Sequence, residues 1–199
     1  MIMKKLLIMI LAIAFASNTF ASEKLCVWEP SGYKVANTSN YADTVHITIT
    51  DNRVMPEKTK INFTSEQLVN YLYDIVQQVF PKAVIIKGCK NQTPQNCISF
   101  NIKITYYGAI FNPKFSAKDI FLSPAITGGS SKWWGKTSYE VDYLDTRNGQ
   151  NKKNTLTFNG EDSGKNWGGY STAKKMLSNS FKEATNSLTT FLITTCTAL

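Results

Sequence analysis

The sequence predicts an α+β fold: a two-layer sandwich of a mostly antiparallel sheet with two amphipathic helices on one face. Three observations predict it. Strictly alternating runs at 45–50 and 98–107 read as half-buried strands. Two segments, after Thr64 and after Ser171, carry apolar residues at helical spacing. An Asn148-Gly149 turn between two further alternating runs marks a hairpin.

The first 21 residues read as a signal peptide. Lys4 and Lys5 precede a ten-residue apolar run, Leu6 to Phe15, and Thr19-x-Ala21 fits a small-x-small cleavage pattern. The run is shorter than the ~20 residues a membrane span needs, and no later segment approaches one. Cleavage after Ala21 leaves 178 residues carrying about +6, with no transmembrane span in the mature chain.

Residues 22–44 are polar and read as irregular, with a short extended piece near Tyr33–Ala36; residues 45–199 read as a single α+β domain. Val45, Ile47 and Ile49 point to the core and His46, Thr48 and Thr50 away from it. Thr64-x-x-Gln67 is a capping box opening a helix with Leu68, Leu72, Ile75, Val76 and Val79 on one face, which Pro81 stops. Ala83–Lys87 is a short strand. In Ile98–Tyr107, Ile98, Phe100, Ile102, Ile104 and Tyr106 form the inward series. Residues 108–135, with Pro113, Pro124, Gly128 and Gly129, read as a long irregular loop, a kind often functional. Lys136–Asp145 and Thr155–Gly160 pair as strands, with Tyr139, Val141, Tyr143, Leu156 and Phe158 inward. A last helix spans about Ser171 to Ile193 with Ala173, Leu177, Phe181, Ala184, Leu188 and Phe191 as its stripe.

The segment from Val45 to Leu192 resembles the small envelope proteins that include the ABC-transport auxiliary lipoproteins and related outer-membrane lipoproteins. The carriers are the helix Ser65–Phe80, the strand Ile98–Tyr107, the Asn148-Gly149 hairpin and the terminal helix. The resemblance implies an accessory or binding role in the cell envelope, with no catalytic residues to carry over. One departure is clear: Cys26 follows Lys24-Leu25, so no lipid-attachment cysteine is present there.

Apolar residues make up 43% and charged residues 18%, which excludes wholesale disorder. One histidine, His46, excludes HExxH sites and any His pair. Four cysteines in an exported chain suggest two disulfides. Cys89 and Cys97 bracket a polar loop and pair most simply with each other, which leaves Cys26 and Cys196 to tie the chain ends. There is no CxxC, so no zinc site is expected, and no metal or cofactor. Gly160 to Asn166 has the wrong glycine spacing for a phosphate loop and lacks its Ser/Thr. Sequons stand at Asn37, Asn62 and Asn91, and matter only in a eukaryotic secretory host. The modest, dispersed basic excess shows no nucleic-acid module.

The aromatics point furthest. Trp133 and Trp134, with Lys132 and Lys136 beside them, and Trp167 all lie in glycine-rich stretches. Exposed there, they offer stacking area and an electrostatic guide, and form the expected partner-binding surface. The expected function is a non-enzymatic accessory or binding protein, periplasmic or secreted, that contacts an envelope protein complex, an anionic lipid or a glycan. The alternatives are a secreted hydrolase using Glu140 and Asp142 on the open sheet face, and an extracellular adhesin-like module.

Overall fold

Alternation at 44–51 builds β2 (Thr44–Asp51), with Val45, Ile47 and Ile49 buried as the sequence requires. The computed structural model describes residues 24–56, 59–88, 97–112, 132–149 and 152–198. The signal-peptide reading, Cys89 and most of the 108–135 stretch therefore lie outside the described residues.

The other elements are β1 (Lys24–Val27), β3 (Lys60–Ile61), α1 (Ser65–Val79), β4 (Val84–Lys87), β5 (Ile98–Asn112), β6 (Lys132–Asp145), β7 (Lys152–Lys165) and α2 (Tyr170–Thr197). The capping box forms: Gln67 N donates to Thr64 Oγ1 at 3.2 Å, and Thr64 N to Gln67 Oε1 at 2.8 Å. The irregular reading of residues 22–44 needs one correction. Residues 24–27 form a strand, whereas Tyr33–Ala36 have no regular structure.

The sheet is curled and mixed, which corrects the mostly antiparallel expectation. β5, β6 and β7 form an antiparallel meander. The other edge of β5 is shared end to end: β2 runs parallel along residues 98–104, and β1 antiparallel along 109–111. β4 lies parallel to β2, and β3 parallel to β1. The physical reason is α1. A helix between β2 and β4 returns the chain to its starting end, so β4 enters the sheet parallel to β2. The two helices and the inward sheet face share one apolar core, with Phe100, Tyr139 and Phe181 at its centre.

A bulge at Ile104/Tyr106 changes the side assignment in β5. One extra residue flips the alternation. Tyr107, not Tyr106, is therefore the inward ring, and its hydroxyl donates to Trp28 O at 2.5 Å.

The helix α2 lies directly on β6 and β7. A Cβ at Gly160 would overlap Ser180 O and one at Gly135 would overlap Met176 O, both helix backbone atoms. Gly160→Ala must therefore push α2 off the sheet. Its expected cost is about 1–3 kcal/mol, read as a lowered urea midpoint with an unchanged slope. Near-normal stability would show that the helix yields freely.

At its far end α2 is closed by the β6–β7 turn, Arg147–Gly149, where Gly149 takes φ 69°. Arg147 donates to Cys196 O at 2.7 Å and Thr195 O at 2.9 Å, and pairs with Asp145 at 2.8 Å. A cation placed on orphan carbonyls suits the negative end of a helix.

The same geometry corrects the cysteine assignment. Cys26 is opposite Ala109 at one end of β5, whereas Cys196 sits beside Arg147, level with Ile98 at the other. About 11 residues of strand separate the two levels, roughly 35 Å, far beyond bridging range. No disulfide joins the described cysteines, and the Cys196 thiol is pushed up to about 12 by burial. The Cys89–Cys97 pairing involves a residue outside the described ones.

Candidate binding site

Trp133 and Trp134 are the second and third residues of β6 and do not lie in a loop. Successive strand residues point to opposite faces, so the two rings part company. Trp133 is 4% exposed. Its ring lies 5.0 Å from Phe111, 5.9 Å from Tyr170 and 6.4 Å from Trp28, and its Nε1 donates to Asn166 Oδ1 at 2.9 Å. This is core packing with a satisfied indole N–H, and it corrects the placement of Trp133 on the partner surface. Its partner Trp28 lay in a segment read as irregular. The available signal was the even spacing of Trp133, Thr137, Tyr139 and Val141.

Trp134 is 44% exposed on the other face. The register sets a row across the open sheet: Leu25, Ile110, Trp134 and Ser163. Beside it is a pocket of about 200 Å³ lined by Leu25, Val54, Pro56, Tyr106 and Ile110. One step along β6 from Trp134, Lys136 pairs with Glu161 at 2.8 Å and stands 5.9 Å over the Tyr106 ring. One step the other way, Lys132 is directly opposite Lys165. Both are exposed, and among the described residues neither has an acidic partner within ion-pair distance.

Trp167, past the end of β7, is 79% exposed. Tyr170 stands edge-on to Trp28 at 5.6 Å with Lys60 5.1 Å over its ring. Five of the seven exposed large apolar side chains among the described residues (Val54, Ile61, Trp134, Trp167 and Tyr170) thus lie towards this end of the sheet, Tyr170 on the Trp133 side and Trp134 on the open side. Of the residues the sequence singles out, Trp134, Trp167, Lys132 and Lys136 stand at this end of the sheet. The pocket is not legible in the sequence, because Leu25 and Ile110 meet only through strand register and Val54 reaches them from the segment after β2.

The carboxylates of the hydrolase alternative are tied up elsewhere on this face. Lys103 Nζ lies 2.7 Å from Glu140 and 2.9 Å from Asp142, and Thr155 Oγ1 donates to Asp142 at 2.6 Å. Those contacts, Thr155 first and Lys103 next, hold the Asp142 carboxyl below its usual range. A general acid needs the opposite shift. His46 is opposite Ser99 and Ile86 in the ladder, with no acid in register. Among the described residues no group of His, Cys, Asp and Glu could hold a metal, and no helix is long and apolar enough to cross a membrane.

No protein-family model matches the chain, and no curated protein sequence matches it. Solved structures of similar outline include a protein named for its likeness to a neuraminyllactose-binding hemagglutinin, from Helicobacter pylori. It is 11% identical, with 85% of this chain and 91% of that one covered, at a TM-score of 0.38. A DUF330 protein from Xanthomonas campestris is 8% identical over 81% and 93%, at 0.41. Lipoprotein GNA1162 from Neisseria meningitidis is 10% identical over 77% and 94%, at 0.26. Likeness at these TM-scores carries no functional weight.

Proposed function

We propose that this chain is an exported, non-enzymatic binding protein of the cell envelope, periplasmic or secreted, whose contact surface is the aromatic end of the sheet. One observation carries the proposal: Trp134 is exposed at that end of the open face, beside the apolar pocket that exposed Val54 lines, with exposed Trp167 past the end of β7. Clustered apolar exposure rimmed by charge is the mark of an interaction surface. Lys132 and Lys165, opposite each other two residues from Trp134 on the open face, favour an anionic partner.

The test is a double substitution, Trp134→Ala with Trp167→Ala. Truncating a hot-spot Trp often costs ~2 kcal/mol. The variant is therefore expected to co-sediment with isolated envelopes at least roughly tenfold more weakly. Both rings lie outside the core, so the melting temperature is expected to stay within a few degrees. Normal envelope binding by the double variant would place the contact surface elsewhere.

A further inference from the structure

We propose that the pocket beside Trp134 holds the acyl end of a single anionic amphiphile, with its head group on Lys132 and Lys165. This rests on the binding-protein reading above and gives it a ligand class.

Size argues for a chain end. The pocket is about 200 Å³, whereas sites for drug-sized ligands run from about 300 to 1,000 Å³. A site this small takes a single ring or the last few methylenes of an alkyl chain rather than a drug-sized molecule. The lining argues the same way. Leu25, Val54, Pro56 and Ile110 present no side-chain hydrogen-bonding group, and Tyr106 adds a ring face. A polar ligand would find only the Tyr106 hydroxyl among the lining side chains to offset its desolvation there.

Charge selects the head group. Lys132 and Lys165 are directly opposite in the ladder, and like charges so placed repel. No acid among the described residues relieves them, whereas Lys136 nearby is already neutralised by Glu161 at 2.8 Å. An anion between the two lysines removes the repulsion and accepts charge-assisted hydrogen bonds. The spacing fits one molecule. The lysine pair and the Trp134–Ile110 row are two residues apart along the strands, about 7 Å. A head group held there can send its chain past Trp134 into the pocket.

The test uses the purified protein and two soluble probes with the same tail and opposite heads: dodecanoate and dodecyltrimethylammonium. Both are titrated below their micelle-forming concentrations, and binding is read by calorimetry. Dodecanoate is expected to bind with one-to-one stoichiometry, roughly tenfold or more tighter than the cation. Lys132→Gln with Lys165→Gln is expected to remove that preference. Val54→Asp, at a side chain almost wholly outside the core, is expected to weaken dodecanoate by a similar factor, as is Ile110→Asp. Circular dichroism confirms that each variant is folded, and Val54→Asp stands in if Ile110→Asp is not.

Equal binding of the two probes would overturn the proposal, as would undiminished dodecanoate binding by Val54→Asp. Sedimentation with phosphatidylglycerol vesicles without uptake of dodecanoate would also overturn it, in favour of docking on a bilayer surface. If dodecanoate fails to bind while Trp134 and Trp167 still govern envelope binding, only the ligand class is lost.

Discussion

Trp133→Ala is expected to destabilise the protein by about 3–5 kcal/mol, the usual range for deleting a buried Trp. The ring fills the space between Phe111, Trp28 and Tyr170, and its Nε1 bond to Asn166 anchors the segment between β7 and α2. Removal leaves a cavity beneath three other aromatics and an unpartnered Asn166 side chain. The adjacent Trp134→Ala is expected to change stability by no more than about 0.5 kcal/mol, as surface changes do. Urea denaturation of the two single variants decides it. Equal effects would contradict the assignment of the rings to opposite faces.

Asp51→Ala is expected to cost about 3–5 kcal/mol as well, for an electrostatic reason. Asp51 and Arg53 pair at 2.5 Å with side chains 5% and 3% exposed. Arg53 also donates to Tyr107 O at 3.2 Å and stands 5.8 Å over the Tyr107 ring. Removing the carboxylate strands a buried guanidinium, and that is the expensive half of a broken buried pair. The pair also sets a pH dependence. Burial pushes the Asp51 carboxyl up, but hydrogen bonds from Arg53 and Ser65 and the Arg53 charge together bring it below its ordinary value. A depressed carboxyl stabilises fully above its unfolded value, about 3.9, and the contribution is lost as pH falls through the lower folded value. Asp145 beside Arg147 and Asp142 beside Thr155 and Lys103 are lowered too and act in the same direction. Stability measured from pH 7 downward should therefore fall below about pH 4, and less steeply in Asp51→Ala. A slope unchanged by the substitution would mean that the pair carries no pH-dependent stability.

The parts of this fold that the sequence made legible are those governed by local rules. Thr64 and Gln67 specify the start of α1 by themselves, and the period of Val45, Ile47 and Ile49 specifies the buried face of β2. The parts that were not legible depend on pairings remote in sequence. The bulge near Thr105 leaves no mark in the pattern, so Tyr106 and Tyr107 exchange sides. The parallel placement of β4 beside β2 depends on the path of α1. Trp133 read as exposed because its glycine-rich surroundings resembled a loop. Gly135 instead lets α2 approach, lying against Met176, as does Gly164 across the ladder from Trp133, against Met176 and Thr172. At the candidate site, Trp134, Trp167 and the lysines were legible as types. Their convergence with Leu25 and Ile110 was not, because a row across four chain segments exists only in the register.

In the proposed function, the end of the sheet around Trp134 meets the envelope partner, and the rest of the open face does not. The most direct measurement places a photoreactive phenylalanine at position 134 and, in a second variant, at position 157. Thr157 is exposed on the same face opposite Glu140, well along β6 from Trp134. Both variants are irradiated in intact envelopes. A discrete crosslinked product is expected from position 134 and none from position 157. Crosslinking from 157 alone, or equally from both positions, would contradict it.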